Sequence, residues 1–187
     1  STGRLRAMLE LDAQLDLTGH LRQHPLRLAL TAAGQGESWQ VPQLDVRLGD
    51  NRIQGQLQLD KKLAGQLQLA LNQPAQIVPG VSGSVLGKVE LGGSLQQADA
   101  RLDLKAHNLA YDGQRVRQLA LTANLKQGRQ AALKLVAQGL ASGEERLGQL
   151  ELTADGSLEQ HRLQAALKGP VANASLQLNG ALDAEKM

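Results

Sequence analysis

From Arg4 to Thr18 the chain alternates apolar and polar residues almost without a break. Leu5, Ala7, Leu9, Leu11, Ala13, Leu15 and Leu17 hold the odd positions, and Arg4, Arg6, Glu10, Asp12, Gln14, Asp16 and Thr18 hold the even ones. Successive side chains of a β-strand point to opposite faces, so this spacing predicts a strand with one apolar and one wetted face. Gly19 to Pro25 interrupts the pattern, which resumes at Leu26, Leu28, Leu30 and Ala32. After a turn over Gly34, Gly36 and Ser38 it continues through Leu44, Val46 and Leu48, then Ile53, Gly55, Leu57 and Leu59, then Leu63, Gly65, Leu67, Leu69 and Leu71.

The stretch from Asn72 to Gly83 is different. There Asn72-Gln73-Pro74 predicts a short helical turn through Ala75, Ile77 and Val78, ended by Pro79-Gly80, so the chain has at most one short helix near 73–79. Alternation returns at Val85, Gly87, Val89 and Leu91, then Ala98, Ala100, Leu102 and Leu104, then Leu119, Leu121, Ala123 and Leu125. It continues over Ala131, Leu133, Leu135 and Ala137, over Leu147, Leu150, Leu152 and Ala154, over Leu163, Ala165 and Leu167, and ends at Leu176, Leu178 and Leu182. Gly49-Asp50-Asn51, Asp60-Lys61-Lys62, Asp112-Gly113, Gly128 and Asp155-Gly156 are the turn signals between these runs. Strands this regularly spaced predict an all-β, antiparallel protein. Val89-Glu90-Leu91-Gly92-Gly93-Ser94-Leu95 and Leu152-Thr153-Ala154-Asp155-Gly156-Ser157-Leu158 form a loose repeat, which favours an elongated body.

Composition changes what the apolar face can be. The 187 residues suffice for one domain with a sizeable core. Yet Leu and Ala dominate, Phe is absent, and Trp39 and Tyr111 are the only aromatics. Ordinary β-cores draw area and packing definition from β-branched and aromatic side chains. A Leu and Ala wall is apolar but specifies packing poorly, which suits a surface that holds something fluid. The alternation alone leaves two architectures open: a closed sandwich or barrel with this face as core, and an open sheet with this face as a trough. A membrane barrel is a third, set aside because two aromatics cannot build interfacial girdles.

Charge narrows the partners. The 20 Lys and Arg stand against 18 Asp and Glu, with the signs interleaved. Nucleic-acid binding calls for clustered cations and stacking aromatics, so it is not expected. Cys is absent, so no disulfide contributes. No apolar run of membrane-spanning length and no signal peptide occurs, and a start at Ser1-Thr2-Gly3 leads us to expect a piece of a longer chain.

No catalytic constellation emerges. His20 and His24 have metal-ligand spacing only on a helix, and Pro25 with the flanking alternation places them in a connection without a third ligand. His107 and His161 are isolated, Gly80-Val81-Ser82-Gly83 lacks the spacing of a nucleophile elbow, and Glu144-Glu145 reads as a solvated turn. Gly92-Gly93 precedes no helix and so forms no phosphate fingerprint, and Asn173-Ala174-Ser175 falls in a strand. We expect no enzyme activity, no metal and no cofactor.

Pro79-Gly80-Val81-Ser82-Gly83-Ser84-Val85, then Val89-Glu90-Leu91-Gly92-Gly93-Ser94-Leu95, then Ala100-Arg101-Leu102-Asp103-Leu104 resembles the TamB family, as does Leu48-Gly49-Asp50-Asn51-Arg52-Ile53. The likeness runs through the chain as periodicity and composition and is sharpest from Leu44 to Leu109. Gln97-Ala98 departs from it, standing where related repeats often carry a proline. The resemblance implies an AsmA-like periplasmic segment of a protein anchored in the inner membrane of a Gram-negative bacterium. It implies an open, curled antiparallel sheet, the β-taco, with an apolar concave groove. It further implies phospholipid transport between the two membranes and an Omp85-type, TamA-like outer-membrane barrel as partner of the parent protein.

On that basis the expected lipid-groove positions are Leu9, Leu11, Leu15, Leu17, Leu28, Leu30, Leu57, Leu59, Leu67, Leu69, Val89, Leu91, Leu102, Leu104, Leu119, Leu121, Leu133, Leu135, Leu150 and Leu152. The alternative role is a chaperone-like module that assists outer-membrane protein assembly by adding client strands to a sheet edge. A structural spacer is a third reading.

Overall fold

The computed structural model describes residues 10–181. Leu9 of the expected groove set lies outside them. The described chain is a meander of twelve strands: β1 Glu10–Leu21, β2 His24–Gln35, β3 Ser38–Leu48, β4 Asn51–Leu59, β5 Leu63–Leu71, β6 Ser82–Gly93, β7 Ala98–Tyr111, β8 Gln114–Lys126, β9 Gln130–Ser142, β10 Glu145–Gly156, β11 His161–Lys168 and β12 Asn173–Gly180. They form one sheet in which spatial order equals chain order. Every pair is antiparallel, and β1 and β12 each pair on one side only. The sheet is therefore open. At about 4.8 Å per strand it extends roughly 53 Å across its strands.

The turns follow from local chemistry. Asp112 and Gly113 both have positive φ, 49° and 78°, as a two-residue hairpin demands. Arg22 and Gln23 adopt the same geometry, at 51° and 68°, although neither residue favours it. That tight turn corrects the expectation of a long break after Thr18. The strand runs on through Gly19 and His20, because His20 opposes Pro25 and Leu21 opposes His24 in continuous register. His20 and His24 thus sit in strands rather than in a connection.

The repeat seen in the sequence becomes a repeated turn. The Ser94 N–H donates to the Gln97 carbonyl and the Gln97 N–H donates back to Ser94 Oγ, at 3.1 Å each. Ser157 and Gln160 make the same two bonds, at 2.8 and 3.3 Å. Here lies the physical meaning of the departure at Gln97: a proline at that position has no N–H to donate. The expected short helix is a 3-10 helix, Pro74–Gln76. It docks on the β3–β4 turn through Asn51, the one buried polar residue among those described.

Candidate functional site

Directly opposite residues of an antiparallel pair share a face, so register decides whether the apolar positions meet. They do. One row crosses all twelve strands as Leu17, Leu28, Val46, Ile53, Leu69 and Gly87, then Leu104, Leu121, Leu135, Leu152, Ala165 and Leu176. The neighbouring row runs Leu15, Leu30, Leu44, Gly55, Leu67 and Val89, then Leu102, Ala123, Leu133, Ala154, Leu163 and Leu178. Neither row contains a polar side chain. The remaining expected positions stand on the same face: Leu11 opposite Gly34, Leu57 opposite Val41 and Gly65, Leu59 opposite Trp39 and Leu63. Leu91 lies opposite Gly65 and Ala100, while Leu119 and Leu150 both flank Ala137.

This continuity requires a correction inside β3. Trp39 and Val41 are at odd positions, whereas Leu44, Val46 and Leu48 are at even ones. A bulge between Val41 and Leu44 inserts one residue, at Pro42-Gln43, and returns both halves to the same face. Trp39 is thereby part of the apolar face, a member that reading Leu positions alone misses. The parity change at Pro42 was the available signal.

Among the described residues, the single sheet has no second layer over this face. No large side chain is fully buried among the described residues, and Leu48, Ala106 and Ala137 are the only buried hydrophobic ones. Leu11, Leu15, Leu17, Leu176 and Leu178 are 40–53% exposed. The chain presents 13768 Å² to solvent, against about 8,700 Å² for a compact monomer of 19.9 kDa. What cover exists is lateral. A Cβ at Gly65 would meet Leu57 Cδ1 at 2.9 Å, and one at Gly55 would meet Leu67 Cδ1 at 3.0 Å, so each leucine lies across the glycine opposite it. The Trp39 ring likewise lies over Gly34. Leucines pressed flat on glycines and alanines make a smooth wall with no fixed polar group.

The other face is held by charge pairs. Arg52 Nε and Nη2 grip the Asp45 carboxylate at 2.9 and 2.8 Å, and this bidentate bond chiefly holds the Asp45 carboxyl below its ordinary value. Glu90 is lowered in the same direction by Lys88, 2.7 Å away. Arg101 and Asp103, two residues apart on β7, pair at 3.1 Å. Leu86, 53% exposed, is an apolar exception on this face.

A family model described as the TamB N-terminal domain matches residues 7–187. The chain belongs to the TamB family. The translocation and assembly module subunit TamB of Haemophilus influenzae is 26% identical over 172 residues, which cover 90% of this chain and 13% of that protein. The chain thus spans a small fraction of its TamB relative's length. No solved structure matches it significantly. The strings that carried the TamB resemblance map onto β6, the Ser94–Gln97 turn and β7, in the middle of the sheet. The open, unclosed all-β sheet is consistent with the β-taco expected of a TamB segment.

Proposed function

We propose that this segment is a non-enzymatic conduit, a single β-taco stretch of a longer TamB-family protein, that shields phospholipid acyl chains on its apolar face as they cross between the inner and outer membranes. What carries the reading is the pair of unbroken apolar rows across all twelve strands, left without cover by the fold. Each acyl CH₂ withdrawn from water is worth about 0.8 kcal/mol. A long chain crossing the aqueous periplasm bare would therefore face a barrier of order ten kcal/mol. A Leu and Ala wall, on which Trp39 lies flat over Gly34, returns most of that without a fixed charge to arrest the lipid, so the chains slide while the headgroup stays in water. The parent protein is placed in this reading in the inner membrane, with this segment in the periplasm and a TamA-like Omp85 barrel at its far end.

Photo-crosslinkers on the apolar and polar rows test it in cells. Phospholipid adducts from Leu102, Leu121 and Leu135 are the expected result, and adducts confined to the polar face would sink it. A second reading, strand addition by a client protein, draws on β12, whose free edge carries no charged residue between Asn173 and Gly180. It predicts protein adducts at β12 in place of lipid adducts at the leucines.

A further inference from the structure

Four neighbouring strands break the period of two at the same level. Apolar residues stand three apart at Ala106 and Leu109 on β7, Val116 and Leu119 on β8, Ala137 and Leu140 on β9, and Leu147 and Leu150 on β10. Register brings these breaks together. Ala106, Leu119, Ala137 and Leu150 oppose one another in a single row across the four strands. Beyond the break Leu109 opposes Val116, and Leu140 opposes Gly148, the residue after Leu147.

The backbone changes between the two rows. Asn108, Gly139 and Gly148 take positive φ, at 50°, 68° and 97°, and β10 shifts register on both sides of Gly148. On β8 the ladder to β9 lapses at Val116 and Arg117. Gly83 carries the line onto β6: its φ is 105°, and a Cβ there would run into the His107 and Asn108 carbonyls. A residue inserted at one level in paired strands keeps their register and swaps the faces of everything beyond it. Half-buried Val116 accordingly stands between exposed Arg115 and Arg117. Unbroken alternation would have set Arg117 on the face of Leu119 and Val116 in water. Ala106 and Ala137, in the last row before the crease, are 1% and 2% exposed, the most deeply buried apolar residues among those described.

We propose that this crease makes Leu109, Val116, Leu140 and Leu147 an apolar lip of the trough, against which phospholipid acyl chains lie, and turns Arg115, Arg117 and Arg146 to the wetted side. This rests on the acyl-chain reading above. The lip adds three residues to each strand's apolar face, so the wall reaches roughly 10 Å further along β7–β10. It continues the same face as Leu119 and Leu150, which is why its occupant is the trough's own. Arg146 goes with Arg115, because both oppose Ala141. Spacing in the chain and backbone geometry change together on all four strands, so each level of structure specifies the same surface. The crease thus keeps three guanidiniums out of a wall on which a fixed charge would arrest lipid.

The test places a photo-crosslinking amino acid in the full-length parent protein, in cells, at Val116, Leu140, Arg115 or Arg117, with Leu121 as the reference on the trough floor. Val116 and Leu140 sit on different strands, so one reports if the other variant fails to fold. The expected result is phospholipid capture at Val116 and Leu140 equal to that at Leu121 and several-fold above that at Arg115 and Arg117. Capture at Leu121 but at neither Val116 nor Leu140 overturns the lip and leaves the trough. Capture at Arg115 and Arg117 in place of Val116 shows unbroken alternation along β8 and overturns the lip. Equal capture at all five positions shows a rim without sides and overturns it too. Capture at Val116 and Leu140 without Leu121 makes them a separate site and overturns the shared wall. Capture at none of the five overturns both the lip and the trough.

Discussion

Asn51 and Gln73 bond each other twice. Asn51 Nδ2 donates to the Gln73 carbonyl at 2.9 Å, and the Gln73 N–H donates to Asn51 Oδ1 at 3.0 Å. The side-chain amide thus acts as a strand partner for the backbone that leaves β5. Asn51 Nδ2 also reaches the Leu48 carbonyl and Gln76 Oε1, both at 3.2 Å, while Gln76 Oε1 accepts the Asp50 N–H at 2.8 Å. One buried amide therefore ties the β3–β4 turn to the 3-10 helix and holds the longest connection against the rim.

Replacing Asn51 by Leu removes the acceptor of the Gln73 N–H and leaves the Gln73 carbonyl with the Gln76 N–H alone. Breaking this junction costs about 1–3 kcal/mol, and urea unfolding of N51L is expected to show a loss in that range. Gln76→Ala, at the half-buried end of the network, is expected to cost about 1 kcal/mol.

A charge on the trough floor separates an open face from a core. Leu102→Arg and Leu121→Glu are expected to keep the β-sheet circular dichroism signal and to lose no more than about 2 kcal/mol, because the new charge stays hydrated. Lipid transport by the parent protein is expected to stop. The same charge at Thr122, on the wetted face, is expected to leave transport intact. Unfolding by the two leucine variants would mark this face as a closed core.

Glycines of the sheet differ sharply in what they tolerate. A Cβ at Gly93, where φ is 79°, would run into the Gln97 carbonyl, and one at Gly156, where φ is 131°, into that of Gln160. Gly93→Ala and Gly156→Ala are expected to cost about 1–3 kcal/mol, read as a lower melting temperature. A Cβ at Gly19 would meet nothing within 4 Å, and φ there is ordinary. Gly19→Ala is therefore expected to be neutral or stabilising by up to about 1 kcal/mol.

Acid titration reports on Asp45. Its carboxyl is held below the ordinary 3.8, first by the Arg52 hydrogen bond. A group lowered in the folded state stabilises while ionised, so its contribution is full above the ordinary value and disappears as pH falls through the lowered one. Asp45→Asn is expected to cost about 0.5–1 kcal/mol at neutral pH, given the half-exposed arginine, and nothing once pH drops well below 3.8. A cost unchanged by acid would show that the pair acts through shape rather than charge.

How much of this was legible beforehand depends on the residue. The Leu alternation marks strands because period 2 is a property of one extended backbone. Asp112-Gly113 and Ser94…Gln97 mark turns because their chemistry is local. Trp39 escaped, since its membership depends on one inserted residue near Pro42 that only the β2 and β4 registers reveal.

The strands, most turns, the single short helix and the one-sided character of the sheet were all written in the order of residues, because each is a consequence of geometry within a few positions. That the sheet stays open was not. An apolar face in a closed sandwich and one facing outward share the same period, and the difference lies in contacts between distant strands. Here each strand pairs only with its sequence neighbours, and the eleven registers bring the two apolar rows into line. The leucines that would have been a core are left without a lid.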